Sequence, residues 1–503
     1  MNAAAPAELW SAQESADADR HTMDRLGVPS PLLMERAALC VSHEVVARRR
    51  EGQGPVVVAV GPGNNGGDGV AVARQLHGWG VPVVAVLATD THNAALGEQI
   101  RIARDYGVTV GRDWPAVADA VVVDALLGTG TRGAPRGAVV QALTRIAGYR
   151  GPRIAVDVPT GVDPDSGAAA DAAFVADVTV TFARSKPGLH VTPGRRHAGR
   201  IVVADIGLQG VPDRARPVSL IDPRWVARRL GAPTAAAHKG QRGHVAVVGG
   251  AGGTPGAAVL AGAAAMRTGA GLCTIATPDD GVASQLASAR PELMVVSWRG
   301  GEVLAAATAL VVGPGLTSGA VTGPLEALWR QDTRPAVWDA SALDHVPPRA
   351  TMAGPRVVTP HPGEAARMLT RLADRAWSNA QVQTDRRAAA QALAACTGAI
   401  VVLKGEGTIV AHDPALQAIN VSGAATLATA GSGDVLAGAI GALLAVGVEA
   451  GTAAEAGVYA HGLAGALASV GALASDIANL LGPAMAELRQ GVAPPTWPRL
   501  RRG

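Results

Sequence analysis

The first half of the chain alternates short apolar runs with longer segments of mixed polarity. Near-continuous Val-rich runs, each bounded by turn residues, lie at 55–60, 81–88, 120–124, 153–158 and 177–182. Runs of this kind are typical of strands buried on both faces, as in parallel sheets. Two of the intervening segments, 69–79 and 92–105, are long enough for crossover helices. The first half therefore predicts one layered α/β domain.

This rhythm breaks between 207 and 237 and then resumes. Segment 207–237 has four prolines, a mixed charge pattern and no clear strand, so we assign a linker at 211–236 with room for a short helix. Later apolar runs end in loops with Gly or acidic residues at 244–250, 271–278, 309–315, 334–340, 355–364 and 398–413. Ligands of open parallel sheets bind outside the carboxyl ends of the strands, where these loops fall. The pattern predicts α/β domains at 1–210 and 237–503.

Composition narrows the class of protein. The 503 residues are 48% hydrophobic and 17% charged, which suits a globular protein and argues against disorder. A net charge of +3 with interspersed acids and bases gives no footprint for nucleic acid. The basic end, "WPRLRRG", is interpreted as a solvated terminus. We therefore expect small-molecule partners and no nucleic acid.

Targeting signals and cysteines give a consistent picture of location. The first 20 residues carry acids where a signal peptide has an apolar stretch, and the late apolar run Val435 to Val448 is too short to span a membrane. Three distant cysteines, Cys40, Cys273 and Cys396, match no metal or redox spacing and are interpreted as core residues. The expectation is a cytoplasmic protein without a membrane partner.

The loop "GPGNNGGDG" (61–69) follows a predicted strand and precedes a predicted helix. Its glycines permit a sharp turn, and its amides can converge on an anion at the helix start. It matches neither the dinucleotide fingerprint nor the Walker loop, so a weak phosphate loop and a plain tight turn both remain open. The Asn pair and Asp68 add hydrogen-bonding groups that a turn does not need.

Two further strand ends carry acids, Asp124 and Asp157. A carboxylate that closes a buried strand is costly unless it is paired, hydrogen-bonded or bound to a cation. Each acid taken singly could cap its own loop. Three such loops ending parallel strands favour a shared site, and oxygen groups from Asn65, Asp124 and Thr160 suit a hard cation.

The segments "MDRLGVPSPLLMERAA", "GNNGGDGVAVARQL", "DALLGTGTRG", "DVPTGVDPDSG" and "TFARSKPGLH" together resemble the NAD(P)H-hydrate epimerase (YjeF N-terminal) family over about 8–210. The resemblance implies a Rossmann-like three-layer fold that interconverts the R and S hydrates of NADH and NADPH. It implies Asp157 as the acid/base residue and Asn65, Asp124 and Thr160 as ligands of K⁺. Implied substrate-binding residues are Asn64, Asn65, Gly66, Gly67, Asp68, Gly128, Thr129, Gly130, Thr131, Arg132, Gly133, Ala134 and Asp157. Thr160 stands where the family often has Ser, and Ala38 where Gly is common.

In the second half, "VVLKGEGTIV" places Lys404 at a strand end, where it could meet a phosphate or occupy a simple hairpin turn. Downstream, "TAGSGDVLAGAIGALLA" supplies Gly431 and Gly433 before a helix, whose free amides form an anion hole. Asp434 could stabilise the helix start, or it could accept a proton from a hydroxyl while the amides hold a phosphoryl group. A glycine anion hole followed by Asp is the pattern of ribokinase-like small-molecule kinases.

Four further segments, "AHKGQRGHVAVVGGAGGTPGAAVLAGAAAMRTGAGL", "VVGPGLTSG", "WDASAL" and "VVTPHPGEAARML", resemble the ADP/ATP-dependent NAD(P)H-hydrate dehydratase family over about 237–490. The resemblance implies a ribokinase-like α/β domain that dehydrates the S-hydrate, with Asp434 as the base. Implied nucleotide-binding residues are Lys404, Gly405, Glu406, Gly407, Thr408 and Gly433. Implied hydrate-binding residues are Ala258, Gly315, His361 and Asp434. ADP is the expected co-substrate, with ATP as the alternative and Mg²⁺ accompanying the nucleotide.

Together the two resemblances predict a bifunctional repair enzyme for hydrated nicotinamide cofactors. One alternative is a ribokinase-like vitamin kinase with a non-catalytic N-terminal binding module, which would release a stable phosphorylated product. Another is a first half that only binds ligands or acts as a scaffold; the retained "NNGGD", Asp124 and Asp157 argue against it. Relatives of both halves commonly self-associate, so a homo-oligomer is expected.

Overall fold

A computed structural model describes residues 7–210, 218–231, 238–300, 304–316, 322–348, 351–373, 375–413 and 416–502. The chain forms two compact units, Met1–Val218 with Thr496–Gly503, and Ser219–Pro495. Among the described residues, no helix combines the length and the apolar character needed to cross a membrane.

The first unit alternates strands and helices, as its sequence pattern predicts. Its strands in chain order are β1 Val56–Val60, β2 Val83–Leu87, β3 Thr109–Gly111, β4 Val121–Ala125, β5 Arg153–Val156, β6 Val178–Phe182 and β7 Arg200–Asp205. Its helices are α1 Ala12–Arg20, α2 Ser30–Val46, α3 Asn64–Gly78, α4 Ala94–Asp105, α5 Ala138–Ala147 and α6 Gly194–Ala198. Short π- and 3₁₀-helical turns add His21–Arg25 and Pro187–Leu189.

The second unit continues the alternation after one short strand and one helix. Its strands are β8 Val218–Leu220, β9 His244–Val248, β10 Leu272–Thr277, β11 Met294–Ser297, β12 Ala309–Val312, β13 Ala336–Trp338, β14 Arg356–Val358, β15 Ile400–Leu403, β16 Ile409–Asp413 and β17 Leu416–Ile419. Its helices are α7 Pro223–Leu230, α8 Pro255–Thr268, α9 Ala283–Ala289, α10 Thr322–Gln331, α11 Pro362–Leu372, α12 Asn379–Thr384, α13 Arg386–Thr397, α14 Ser432–Ala445, α15 Ala450–Leu467 and α16 Ala474–Arg489. Short 3₁₀ turns lie at Asp280–Val282, Ala340–His345 and Ala425–Leu427.

The last strand, β18 Arg499–Arg502, returns to the first unit. It pairs in parallel with β7 and completes an eight-stranded sheet of order β18-β7-β6-β5-β4-β1-β2-β3. The basic end of the chain is therefore an edge strand rather than a solvated terminus, and it lies outside the second unit. Glu44 is buried in α2, and its carboxylate pairs with Arg501 of this strand. The same carboxylate also pairs, at 3.0 Å, with Arg200 of β7.

The first sheet is covered on both faces. Alternate residues of β1 enter different hydrophobic clusters because successive side chains of a strand point to opposite faces. Val58 packs in the cluster that contains α2, α3 and α4, whereas Val57 packs in the cluster that contains α5. The result is the three-layer α/β arrangement that the sequence predicts, and the α/β fold class is confirmed.

The second sheet has ten strands in the order β11-β10-β9-β12-β13-β14-β15-β16-β17-β8. The pairings from β11 to β15 are parallel, whereas β15, β16 and β17 pair antiparallel. The apolar stretch 398–413 is thus two strands joined by a tight turn. Helices α14, α15 and α16 contribute many small buried residues to the core cluster, which suits a chain with few aromatic residues.

The segment assigned as a linker carries regular structure where the structure describes it. Strand β8 and helix α7 both lie within 211–236. The expected short helix is therefore present, but the segment also contains a strand that its sequence did not indicate. Positions 211–217 and 232–236 of the segment lie outside the described residues.

Candidate active sites

The first candidate site lies where the strand order reverses between β1 and β4, the usual ligand position in open parallel sheets. The loops that follow β1, β4, β5 and β6 surround a cavity of about 640 Å³. The structure brings the following predicted residues to its walls: Asn64, Asn65, Asp68, Gly128, Thr129, Gly130, Thr131, Arg132 and Asp157. Three separate motifs of the sequence therefore form one site.

The glycine loop of the first half is the start of a long helix. Helix α3 begins at Asn64, and Gly66 lies so close to the loop that a Cβ there would be 2.1 Å from the Gly61 carbonyl oxygen. A Cβ at Gly67 would be 2.8 Å from the Met34 side chain. These two glycines allow close packing beneath the site, while Asn64 and Asp68 face the cavity.

Asp157 occupies a strained backbone position directly after β5. Its φ of 65° is unusual for a residue with a side chain and costs on the order of 1–3 kcal/mol. Its Oδ1 accepts hydrogen bonds from Lys186 Nζ at 2.6 Å and from Thr181 Oγ1 at 3.1 Å. Lys186 is 1% exposed and lines the same cavity, although the sequence alone did not assign it a function. It belongs to the "TFARSKPGLH" motif, which could have identified it.

Two more carboxyl groups share this cavity. Burial raises the pKa of Asp68 well above its ordinary value, and the charges of Asp157 and Asp19 add to the effect. Burial also raises the pKa of Asp19 to about 6, with Asp157 as a further cause and Lys186 acting against it. Asp19 comes from α1 and had no recognisable motif. The cavity therefore combines an ion-paired aspartate with two carboxyl groups whose pKa values are raised by burial.

Of the predicted cation ligands, Asn65 lines the cavity, whereas Asp124 and Thr160 are buried and do not line it. Asp124 is fully buried; its Oδ1 accepts a hydrogen bond from Thr160 Oγ1 at 2.7 Å and its Oδ2 accepts one from Thr160 N at 2.8 Å. Burial raises the pKa of Asp124 to about 6, although the hydrogen bonds from Thr160 and Leu126 oppose it. Asn65 has a buried Nδ2 atom without a hydrogen-bond partner. Exchanging the amide N and O of Asn65 would place an oxygen at that unsatisfied position.

The second candidate site is a cluster of charges at the carboxyl ends of β13, β14 and β15. Lys404 Nζ lies 2.7 Å from Asp339 Oδ1 and 3.9 Å from Glu364 Oε2. Asp339 is 2% exposed and also accepts a hydrogen bond from Thr359 Oγ1 at 2.8 Å. Asp339 and Glu364 belong to the "WDASAL" and "TPHPGE" motifs, but the sequence did not single them out.

Asp434 lies in the first turn of α14, beside this cluster. Burial raises its pKa to about 7; the nearby charges of Asp339 and Glu364 also raise it, while Lys404 lowers it. Gly431, with φ of 87°, makes the turn, and a Cβ at Gly433 would be 3.2 Å from Lys404 Nζ. The structure thus brings Lys404, Gly433 and Asp434 together, as the sequence predicts.

A histidine behind the glycine turn was missed. His461 of α15 is buried and its Nε2 lies 3.1 Å from Ser432 Oγ. Burial lowers the pKa of His461 to about 4, so it is neutral and can hold the turn without adding charge.

The turn from Lys404 to Thr408 is held by a buried arginine. Arg386 donates to the carbonyl oxygens of Leu403 at 3.2 Å and Lys404 at 3.1 Å, and also to that of Glu406. Gly405 has φ of 139°, and a Cβ there would be 2.8 Å from the Arg386 guanidinium. The close approach explains the glycine.

The remaining predicted residues have other surroundings. His361 caps α11: its Nδ1 accepts from Gly363 N at 3.0 Å, and its side chain is 54% exposed. Ala258 is fully buried in α8. A Cβ at Gly315 would be 2.2 Å from the Thr254 carbonyl oxygen, so this glycine is required by packing. Gly133 and Ala134 follow the cavity loop, and among the described residues they do not line the cavity.

Comparisons with known proteins divide the chain in the same way as the two sites do. Residues 30–188 match the family model described as YjeF-related protein N-terminus, and residues 245–484 match that of NAD(P)H-hydrate dehydratase. A bifunctional NAD(P)H-hydrate repair enzyme from Escherichia coli is 35% identical, covering 95% of this chain and 93% of the relative. One from Moorella thermoacetica is 36% identical, covering 91% and 92% respectively.

Among solved structures, the ADP/ATP-dependent NAD(P)H-hydrate dehydratase from Bacillus subtilis is 29% identical; the match covers 55% of this chain and 100% of that one with a TM-score of 0.49. The two E. coli and Moorella relatives align over nearly the full length of both chains, so they carry both halves in the same order. The chain therefore belongs to the family of bifunctional NAD(P)H-hydrate repair enzymes.

Proposed function

We propose that the first unit interconverts the R and S hydrates of NADH and NADPH, and that the second unit dehydrates the S form at the expense of ADP, releasing AMP and phosphate. The proposal rests on the position of two aspartates, Asp157 and Asp434, at the ligand-binding edges of two separate sheets. Each lies near a lysine that follows a strand: Lys186 is bonded to Asp157, whereas Lys404 lies near Asp434.

In the second unit Asp434 is suited to accept the proton of the hydrate hydroxyl. A base works best when its pKa is close to the working pH, and the pKa of Asp434 is raised to about 7. The hydroxyl oxygen then bonds to the terminal phosphorus of ADP as the bridging P–O bond breaks. Phosphate leaves with the C–O bond electrons while the neighbouring carbon gives up a proton to water, which restores the ring double bond.

Lys404 and the glycine turn of α14 are suited to hold the phosphates of ADP. Free amides at a helix start and a lysine ammonium are both favourable partners for an anion. In this structure Lys404 is engaged by Asp339, so a bound phosphate would compete with that carboxylate.

The residues also fit a Mg²⁺ ion that accompanies the nucleotide. No group of three His, Cys, Asp or Glu side chains that could hold a metal occurs in the described part of the chain. Mg²⁺ at phosphate sites, however, is commonly held by one or two carboxylates together with phosphate oxygens and water. Asp339 and Glu364 provide two carboxylates beside Lys404, and the ion would neutralise charge on the phosphates.

In the first unit Asp157 is suited to exchange the hydroxyl proton as the hydrate changes configuration. The oxygen ligands Asp124, Asn65 and Thr160 fit a K⁺ ion, because Asp124 is a buried acid hydrogen-bonded only to neutral groups among the described residues and Asn65 has an unsatisfied amide. A cation there would order the loops that carry Asn64 and Gly128.

The experiment supplies the purified full chain with a mixture of both NADPH hydrates and ADP and follows recovery of NADPH absorbance. We expect complete recovery and one phosphate per NADPH formed. Asp434→Asn should abolish recovery, whereas Asp157→Asn should leave only the S fraction recovering promptly. A stable phosphorylated product without NADPH would instead support a small-molecule kinase, and unchanged recovery of the R fraction in Asp157→Asn would remove the epimerase assignment.

Location and assembly complete the proposal. Cys40 and Cys273 are free thiols and are buried, which suits a reducing cytoplasm. The expected homo-oligomer stays a prediction that light scattering on the eluting protein can check.

A further inference from the structure

Lys186 is a buried cation on the wall of the first cavity. It follows β6 in a loop, and its side chain is 1% exposed although it borders a cavity of about 640 Å³. A buried ammonium is costly unless its charge and its hydrogens are all used. Its contacts therefore indicate what it does.

Every hydrogen of the Lys186 ammonium has a partner within the protein. Nζ donates to Asp157 Oδ1 at 2.6 Å, to Thr181 Oγ1 at 3.0 Å and to the Phe182 carbonyl oxygen at 3.1 Å. An ammonium has three donors and no acceptor. Lys186 consequently has no hydrogen left to donate to a substrate, so it can affect the reaction only through the groups that it contacts.

What it holds is one of the two oxygens of Asp157. Oδ1 also accepts from Thr181 Oγ1 at 3.1 Å and from Phe182 N at 3.2 Å, so this oxygen is saturated. No hydrogen bond to Oδ2 is found within the described residues, and Asp157 borders the cavity. The carboxylate is therefore held by one oxygen and left free at the other.

We propose that Lys186 is the positioning residue of the epimerase site: it fixes Asp157 through Oδ1, places a positive charge beside that oxygen and leaves Oδ2 as the atom that accepts the hydroxyl proton. This inference rests on the proposed epimerase function. It also explains how Asp157 tolerates φ of 65°, since Thr181, Phe182 and Lys186 fix the group after the turn.

The surrounding charges make this support necessary. Asp19 from α1 and Asp68 from α3 border the same cavity, and Arg132 comes from the loop after β4. Both acids feel the charge of Asp157, and Asp19 also feels that of Lys186. Without Lys186, Asp157 would face two other carboxyl groups with no positive charge bonded to its Oδ1.

The test compares Lys186→Met with the wild-type full chain, using R-hydrate as substrate and coupling to the intact second unit. We expect a loss of about 100-fold or more in kcat with little change in KM, the size of an acid–base contribution. Lys186→Arg should recover part of the lost kcat, because a guanidinium can also donate to Oδ1.

A milder pair of variants guards against misfolding. Thr181→Val removes one hydrogen bond to Oδ1 but keeps the ammonium, and we expect a loss of about tenfold. Thr144→Val, at an exposed position of α5, is the matched control and should not change the rate. The double variant Asp157→Asn/Lys186→Met removes both charges and should retain native hydrogen exchange in β1 and β4.

The outcomes separate this inference from the proposed function. If Asp157→Asn leaves epimerisation intact, the epimerase assignment itself fails. If Asp157→Asn is inactive but Lys186→Met keeps the wild-type kcat and KM, Lys186 is not a positioning residue. A lower rate in Lys186→Met that comes from a raised KM with kcat unchanged, or that Lys186→Arg does not recover in part, would also overturn the inference, because either result indicates a purely structural role.

Discussion

The two sites use the same pair of residue types in opposite ways. In the first unit the lysine contacts the proposed base directly, with Lys186 Nζ 2.6 Å from Asp157 Oδ1. In the second unit Lys404 contacts Asp339 instead, and the Asp434 carboxyl group accepts no hydrogen bond from any residue that the structure describes. The first aspartate is therefore fixed by a lysine, whereas the second is not, and burial raises the pKa of Asp434 to about 7.

This difference suits the chemistry proposed for each unit. Asp434 has to take up a proton while a negatively charged phosphoryl group lies nearby, and a raised pKa strengthens it as a base. A bound phosphate would displace Asp339 from Lys404, so Lys404 is available to bind an anion. Lys186 is not, because all three of its ammonium hydrogens are donated within the protein. The position of the lysine therefore distinguishes a fixed acid–base site from an anion-binding one.

The largest expected effect breaks the comparison at Asp434. Asp434→Asn should lower the dehydratase rate on pure S-hydrate with ADP by about 10³-fold, near the middle of the range for acid–base groups. Interconversion of the R and S hydrates, measured by chromatography of the hydrates, should stay at the wild-type rate in the same protein. A dehydratase rate within tenfold of wild type would remove Asp434 as the base.

The next prediction moves the pKa of Asp434 without removing it. Asp339→Asn deletes an anion that raises this pKa and frees Lys404 to lower it, so the acid limb of the dehydratase profile should shift down by about one pH unit. The measurement is the rate against pH with saturating ADP and Mg²⁺.

The matched control is Asp344→Asn, an exposed acid five residues further along the chain. It should leave the limb where it is. An unshifted limb in Asp339→Asn would show that the titrating group is not Asp434, even if the overall rate falls through weaker metal binding.

A smaller effect concerns stability. The pKa of Asp434 is about 7 in the folded protein and 3.8 as its ordinary value, so the folded state binds more protons between these pH values and stability falls as pH rises. Asp434→Asn does not titrate. It should therefore be about 1–2 kcal/mol more stable than wild type at pH 8, with a smaller difference at pH 5. Chemical denaturation at both pH values measures this; a variant less stable at pH 8 than at pH 5, relative to wild type, contradicts the assignment.

The smallest effect tests a charge cluster that takes no part in chemistry. Burial alone would raise the pKa of Glu44, but Arg48, Arg501 and Arg200 outweigh it and the pKa is lowered. Arg501→Met should cost the first unit about 1 kcal/mol, because two arginines remain. The measurement is hydrogen exchange of β7, with Arg499→Met at an exposed position as control. Equal exchange in both variants would show that Arg501 does not fix the last strand.

Much of the fold was predictable because its central strands are buried on both faces. The runs around Val56–Val60 and Val121–Ala125 are almost entirely apolar, so their sequences alone predict buried strands of a parallel sheet. Edge strands lack that signal. Thr109–Gly111 is short and partly exposed. Arg499–Arg502 is mostly basic: Arg501 pairs with Glu44, and Leu500 packs against a hydrophobic cluster.

The sites were predictable to the extent that a motif fixes a loop. Asp157 directly follows a strand, and Asp434 lies in the first turn of a helix. In open parallel sheets these are the positions at which ligands bind. Lys186, Asp339 and Glu364 belong to motifs as well, but their roles depend on distances between segments far apart in the chain. Asp19 depends on α1 lying against the cavity, which no local pattern reveals.

The most direct measurement uses pure R-hydrate, ADP and the two inactivating variants. R-hydrate needs both activities, so Asp157→Asn alone should regenerate NADPH no faster than uncatalysed epimerisation allows, and Asp434→Asn alone no faster than its residual dehydratase rate. An equimolar mixture of the two variants should restore recovery, because each supplies the activity that the other lacks. Wild-type recovery by either variant alone, or no recovery by the mixture, would contradict a division of labour between Asp157 and Asp434.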